Sequence, residues 1–226
     1  MNEILVHCHN QRESCLQTLA ADLVAQLQGT LAQQPRASLV LPGGNSPQAL
    51  LPLLAQQLDT RRIDLSPSDE RWVPAMTAES NWRLLSQGLP HASCLDPRQG
   101  STREQAAAAW AEQLKQWPPF SAVLLGMGQD GHIASLFPGM PGLAAALDPS
   151  AEPAALSAQA PHAPCERLSL NLSMLQRGQW LGLLAFGERK RELIDAVLAD
   201  EPSARELPVY AWLRRSPLPV HIYWAP

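Results

Sequence analysis

Short, mostly apolar runs at residues 3–9, 37–41, 121–125, 167–172, 180–186 and 220–224 alternate with segments whose apolar residues recur at helical spacing. This alternation constrains the fold most, because strands separated by covering helices assemble into a mainly parallel sheet. Leu16, Leu19, Ala20, Leu23, Val24 and Leu27 form one helical stripe, and Leu50, Leu53, Leu54 and Leu58 continue a second. Further helices are predicted over 80–89, 102–117 and 189–198, with a weak strand signal at 63–65. The expected architecture is α/β: a mainly parallel, Rossmann-like sheet with helices on both faces, built as a single domain over residues 1–226. Residues 141–164, rich in Pro and Ala, are expected to form a long mobile loop.

Composition excludes several functions. The chain is 46% hydrophobic and 17% charged, with a net charge of −4 and no basic run, so no nucleic acid is expected as a partner. No apolar stretch approaches the about 18 residues of a membrane span, and the first residues lack the pattern of a signal peptide. The four cysteines, Cys8, Cys15, Cys94 and Cys165, show no metal or redox spacing and fit reduced thiols in the cytoplasm. In His7-Cys8-His9 a strand would put the histidines on one face and the thiol on the other, which reads as packing. No metal or cofactor is expected, and the oligomeric state is expected to be a monomer or a weak homo-oligomer.

Two glycine-rich turns follow predicted strands. In the first, Pro42-Gly43-Gly44-Asn45-Ser46-Pro47, the glycines allow close approach of an anion, and Asn45 or Ser46 can cap a helix begun by Pro47. The second runs from Gly126 through Asp130, Gly131 and His132 to Gly139. Its Gly126-x-Gly128-x-x-Gly131 matches the dinucleotide fingerprint, but the acidic residue about 20 positions on, Asp148, lies in predicted loop. A carboxylate within the turn would also repel a pyrophosphate. The turn instead joins an acid to an imidazole, whose ordinary pKa of about 6.5 suits a general base. His132 is therefore the catalytic candidate, with Asp130 to orient it, while His7, His91, His162 and His221 are read as structural.

Two further segments carry charge. Asp69-Glu70-Arg71, taken alone, reads as a solvated loop, and Arg71 gains interest only beside another anion site. Gly187-Glu188-Arg189-Lys190-Arg191 places three cations at a helix start, where the helix dipole disfavours them. The chain uses 15 arginines and only two lysines, Lys115 and Lys190, so lysine at position 190 points to an anion contact. Arg167, entering a strand after the predicted loop, taken alone reads as a salt bridge with Glu166 or a snorkelling edge residue.

In this order the segments resemble the 6-phosphogluconolactonase family: Gly43-Gly44, Asp69-Glu70-Arg71-Trp72-Val73, Ser80-Asn81, and the long run from Leu125 to Gly139. The resemblance implies the α/β fold shared with glucosamine-6-phosphate deaminases, and metal-free hydrolysis of 6-phospho-D-glucono-1,5-lactone. It implies catalysis by His132 and Asp130, with substrate and phosphate held by Gly43, Gly44, Asn45, Asp69, Arg71, Arg167 and Lys190. Deaminases follow Asp-Gly-His with Phe-Asn-Glu-Pro-Gly, and here Ala134-Ser135-Leu136-Phe137-Pro138-Gly139 carries no acid. A deaminase, or a non-catalytic sugar-phosphate-binding protein on the same fold, are the alternatives. The chain departs from the family at Asn45, where serine is frequent, at Trp82, and in a C-terminus without the usual late aspartate.

Overall fold

The computed structural model describes residues 3–226. The first half contains β1 (Ile4–Cys8), α1 (Arg12–Leu31), β2 (Ala37–Leu41), α2 (Asn45–Gln57), β3 (Ile63–Pro67), β4 (Asp69–Arg71), α3 (Asn81–Gly88), β5 (Ser93–Cys94) and α4 (Arg103–Lys115). After these come β6 (Ala122–Gly126), α5 (Leu143–Ala146), β7 (Ala155–Gln159), β8 (Glu166–Leu170) and α6 (Leu172–Leu175). The chain closes with β9 (Leu181–Phe186), α7 (Glu188–Leu198), α8 (Pro208–Arg215) and β10 (Val220–Ala225).

Seven strands form one parallel sheet in the order β1-β10-β9-β6-β2-β3-β5. Successive side chains along a strand point to opposite faces, and both faces here are sealed. Leu39, Leu41, Leu124 and Tyr223 pack with Leu16, Leu19, Leu50 and Leu54 of α1 and α2. Val40, Val123, Leu125 and Ile222 pack on the other side with Trp110 of α4, Ile194 of α7 and Trp212 of α8. The expected single-domain, mainly parallel α/β fold is what the chain adopts. Among the described residues no helix is long and apolar enough to cross a membrane.

A second sheet, absent from the sequence reading, is antiparallel and has the order β4-β8-β7. It corrects two expectations. Residues 141–164 are not one long loop, since they contain α5 and β7. The strand has little apolar alternation of its own and is fixed by backbone pairing with β8, a partner that a local reading cannot supply. Asp69-Glu70-Arg71 is not a solvated loop but strand β4, with Asp69 and Glu70 buried. Pro67 ends β3 without an N–H to donate, and at Ser68 the chain passes from the parallel sheet into the small one.

His7 and Cys8 take opposite faces, as a strand requires. His7 stacks on Tyr223 at 4.6 Å and lies 3.3 Å from His221 between Nε2 and Nδ1, while Cys8 Sγ accepts from Arg191 at 2.9 Å.

Glu70 shows why charge in β4 can be buried. Its carboxylate accepts the backbone N–H groups of Arg71 (2.8 Å), Asn81 (2.7 Å) and Trp82 (2.7 Å), so it caps the start of α3. Arg98 Nη1 lies 3.3 Å away, and Ser80 Oγ donates at 3.2 Å. Replacing this anion strands several buried donors at once. Glu70→Gln should lower the unfolding free energy by about 3–5 kcal/mol, the usual cost of breaking a buried charged pair, as measured by urea denaturation.

Candidate active site

Strand order reverses between the neighbours β2 and β6: the chain proceeds from β2 to β3 on one side and from β6 to β9 on the other. Loops leaving such a pair diverge and open a crevice beyond the carboxyl ends of the strands. A cavity of about 590 Å³ lies there. Gly43, Gly44 and Asn45 line it from the turn after β2, and Asp130 and His132 from the turn after β6. Asp69 and Arg71 of β4, Arg167 of β8 and Lys190 of α7 complete its polar wall. All nine residues singled out in the sequence thus meet at one place.

The turn after β6 does not lead into a helix, as a dinucleotide fingerprint requires; the next helix begins only at Leu143. It curls back instead, with Gly128 N–H donating to the His132 carbonyl at 2.9 Å. Asp130 Oδ1 lies 2.6 Å from His132 Nδ1 and also accepts the His132 backbone N–H at 3.2 Å. An ionised carboxylate can only accept, so Nδ1 carries the proton of this contact and Nε2 takes no part in it. Burial pushes the Asp130 pKa up, but the His132 charge and hydrogen bonds outweigh it and hold the carboxyl below the ordinary aspartate value. The Phe137 ring packs against the imidazole with centroids 4.5 Å apart. Gly128 has to be glycine: a Cβ there would overlap His132 Nδ1 and Asp130 Oδ1.

Positive charge also lines the cavity. Arg71 and Arg167 are direct cross-strand partners in β4 and β8, an arrangement that like charges oppose. Arg71 donates to the Glu79 carbonyl at 2.6 Å, yet the Nε atoms of both arginines are buried without partners. Burial, then the charge of Arg71, lowers the pKa of Arg167. At the start of α7 the three cations sort themselves. Arg189 pairs with Glu192 at 3.0 Å and Arg191 with Asp195 at 2.9 Å, whereas Lys190 has no acidic partner among the described residues. Burial, and next the nearby Arg12, lower the Lys190 pKa. Arg71, Arg167 and Lys190 form no salt bridge among the described residues, and Asp69 is the acid whose charge acts most on Arg167.

Asp69 is engaged with protein groups as well as facing the cavity. It accepts Ser68 Oγ at 3.0 Å and Ser135 Oγ at 2.7 Å. Ser135, three residues beyond His132, was not singled out in the sequence, nor was Asn81 assigned a place in the site. Asn81 donates to the Asp69 carbonyl at 2.8 Å, and its side chain fills the space where a Cβ on Gly43 would fall. His162, read as structural, instead stands exposed between β7 and β8 and lines the cavity. Nothing local distinguishes it, because β7 itself carries so weak a signal. Among the described residues no three His, Cys, Asp or Glu side chains converge as metal ligands would.

Residues 10–222 match the family described as glucosamine-6-phosphate isomerases/6-phosphogluconolactonase. The chain belongs to this family. A 6-phosphogluconolactonase of Pseudomonas aeruginosa is 39% identical over 213 residues, covering 91% of this chain and 89% of that protein. One from Pseudomonas putida is 36% identical, covering 99% of this chain and 93% of its own length. The crystal structure of a 6-phosphogluconolactonase from Shewanella baltica superposes with a TM-score of 0.87 at 30% identity, covering 99% and 98% of the two chains. This family's α/β fold therefore carries the site described above.

The dependence of Asp130 on its partner is measurable. Gly128→Ala should force the ring away from the carboxylate, and the Asp130 carboxyl carbon, followed by 13C NMR, should then titrate at higher pH than in the parent protein. The direction follows from burial, which remains when the lowering contacts are lost.

Proposed function

We propose that this protein hydrolyses 6-phospho-D-glucono-1,5-lactone to 6-phospho-D-gluconate, with His132 as general base. The observation that carries the mechanism is the 2.6 Å contact that commits Nδ1 of the cavity-lining His132 to Asp130 and leaves Nε2 outside that contact. Nε2 takes a proton from water as the water oxygen attacks the lactone carbonyl carbon. The resulting tetrahedral oxyanion collapses by breaking the bond from that carbon to the ring oxygen, which receives the proton back from His132. Asp130 stabilises the imidazolium between these steps without accepting its proton. Amide N–H groups of the glycine-rich turns supply hydrogen bonds to the oxyanion.

Phosphate binding falls to Arg71, Arg167 and Lys190, assisted by the Gly43-Gly44-Asn45 turn. A lactone is already activated, so orientation and a base are the main requirements, and a remote phosphate provides the orientation. Asp69 supports the ring hydroxyls and balances Arg167. A deaminase would need an acid shortly after Asp-Gly-His, but residues 133–136 are Ile133, Ala134, Ser135 and Leu136. We assign the protein to the cytoplasm, acting as a monomer or a weak homo-oligomer.

Freshly generated 6-phosphogluconolactone should disappear faster with the protein, whereas glucosamine 6-phosphate should release no ammonia. His132→Ala should lower turnover by about 10²–10⁴-fold, the usual contribution of a general base; full activity in that variant would remove His132 from the mechanism. Arg167→Ala and Lys190→Ala should raise KM for the phosphorylated lactone and leave hydrolysis of unphosphorylated glucono-1,5-lactone nearly unchanged.

The lowered pKa of Lys190 also sets a pH dependence, because only the protonated amine attracts phosphate. As pH rises, calorimetric affinity for 6-phosphogluconate should fall before an ordinary lysine would deprotonate. Lys190→Arg should move that fall to higher pH. A decline at the same pH in both proteins would exclude Lys190 as its source.

A further inference from the structure

Two residues beyond His132 the backbone enters the left-handed region at Ala134, where φ is +47°, a conformation that a residue bearing a Cβ resists. The next residue, Ser135, is 1% exposed and tied twice. Its backbone N–H donates to Ser169 Oγ at 3.1 Å, and its hydroxyl donates to Asp69 Oδ2 at 2.7 Å. Asp69 and Ser169 stand opposite one another in β4 and β8, so both ties end on a single rung of the small sheet. That rung is braced independently of Ser135. Ser68 Oγ donates to Asp69 at 3.0 Å, Ser169 Oγ to the Leu170 carbonyl at 3.1 Å, and Leu170 N–H to the Ser68 carbonyl at 3.1 Å.

We propose that Ser135 is a positioning residue for His132: clamped to the Asp69–Ser169 rung, it holds the left-handed step at Ala134 and thereby the direction in which the imidazole presents Nε2. The inference rests on His132 as the general base. Ser135 reaches the cavity wall, but its hydroxyl proton and its N–H are both committed to protein groups, so its effect passes through the backbone. The path is short and stiff. Ile133 is fully buried, its carbonyl accepts Leu136 N–H at 2.9 Å, and the His132 carbonyl accepts Gly128 N–H at 2.9 Å. The turn is thus held to β6 at one end and to the small sheet at the other, with the base between. Displacing a catalytic group by 1 Å costs about 10²-fold in rate, so loss of one anchor is large enough to measure.

Ser169→Ala is the decisive variant, because Ser169 does not line the cavity and the change removes the acceptor for the Ser135 N–H. Ser135→Ala removes the other tie. The readouts are steady-state lactone hydrolysis and the 1H–15N signals of the His132 ring in the substrate-free protein. For Ser169→Ala, kcat should fall by about 10- to 100-fold with KM nearly unchanged, and the His132 Nδ1 proton signal should shift upfield or broaden by exchange. Adding Ala134→Gly to Ser169→Ala should recover much of the lost kcat, since glycine adopts the left-handed step without support. An unchanged ring signal in Ser169→Ala overturns the proposal whatever the activity, and so does an unchanged kcat. If Ser135→Ala fails to fold, Ser169→Ala still decides. The ring signal is read without substrate, so it tests the role of Ser135 even if His132→Ala were to show that His132 is not the base.

Discussion

The whole arrangement depends on a parallel sheet sealed on both faces. Its interior strands place their backbone N–H and C=O groups in the ladder, and their side chains are committed to two apolar layers. Polar chemistry is thereby driven to the strand ends. Of these, the carboxyl ends of β2 and β6 are special because the chain leaves them in opposite directions. The two glycine-rich turns sit at this divergence, and glycine is what lets Gly43 pack against the Asn81 side chain and Gly128 lie against Asp130 and His132 of its own turn.

A sealed sheet alone would leave the crevice with Lys190 of α7 but without its two arginines. The small antiparallel sheet supplies them. By leaving the main sheet at Ser68, the chain carries Asp69 and Arg71 to the rim and pairs them with Ser169 and Arg167. Side-by-side arginines are unfavourable in isolation, and the fold tolerates them because Asp69 lies close and the backbone ladder fixes the register. Glu70, between them in sequence, faces away and serves the fold by capping α3. Three adjacent charged residues thus divide their labour through strand alternation, two toward the cavity and one into the protein.

Much of the site could be read locally. The Asp130–His132 pair is two residues apart in a turn, so its contact is decided within one loop. The unusual cation cluster at the start of α7 breaks a rule of helix electrostatics, and the acids at Glu192 and Asp195 lie at the spacings that neutralise Arg189 and Arg191. Ser135, Asn81 and His162 could not be reached in this way. Ser135 matters because of residues 66 and 34 positions away, and His162 because a weakly apolar strand, β7, finds its partner in β8.

The sequence by itself determined the alternation of strand and helix, the two glycine turns, the acid–base pair and the family to which they belong. These are short-range matters of periodicity, backbone freedom and spacing. Only the tertiary structure decided that β4, β7 and β8 form a second sheet, that Arg71 stands against Arg167, and that Ser135 joins the turn of His132 to that sheet. Charged and weakly apolar segments have no local signal for such pairing. Their burial is stable only once distant donors and acceptors satisfy them, and that condition exists nowhere but in the folded chain.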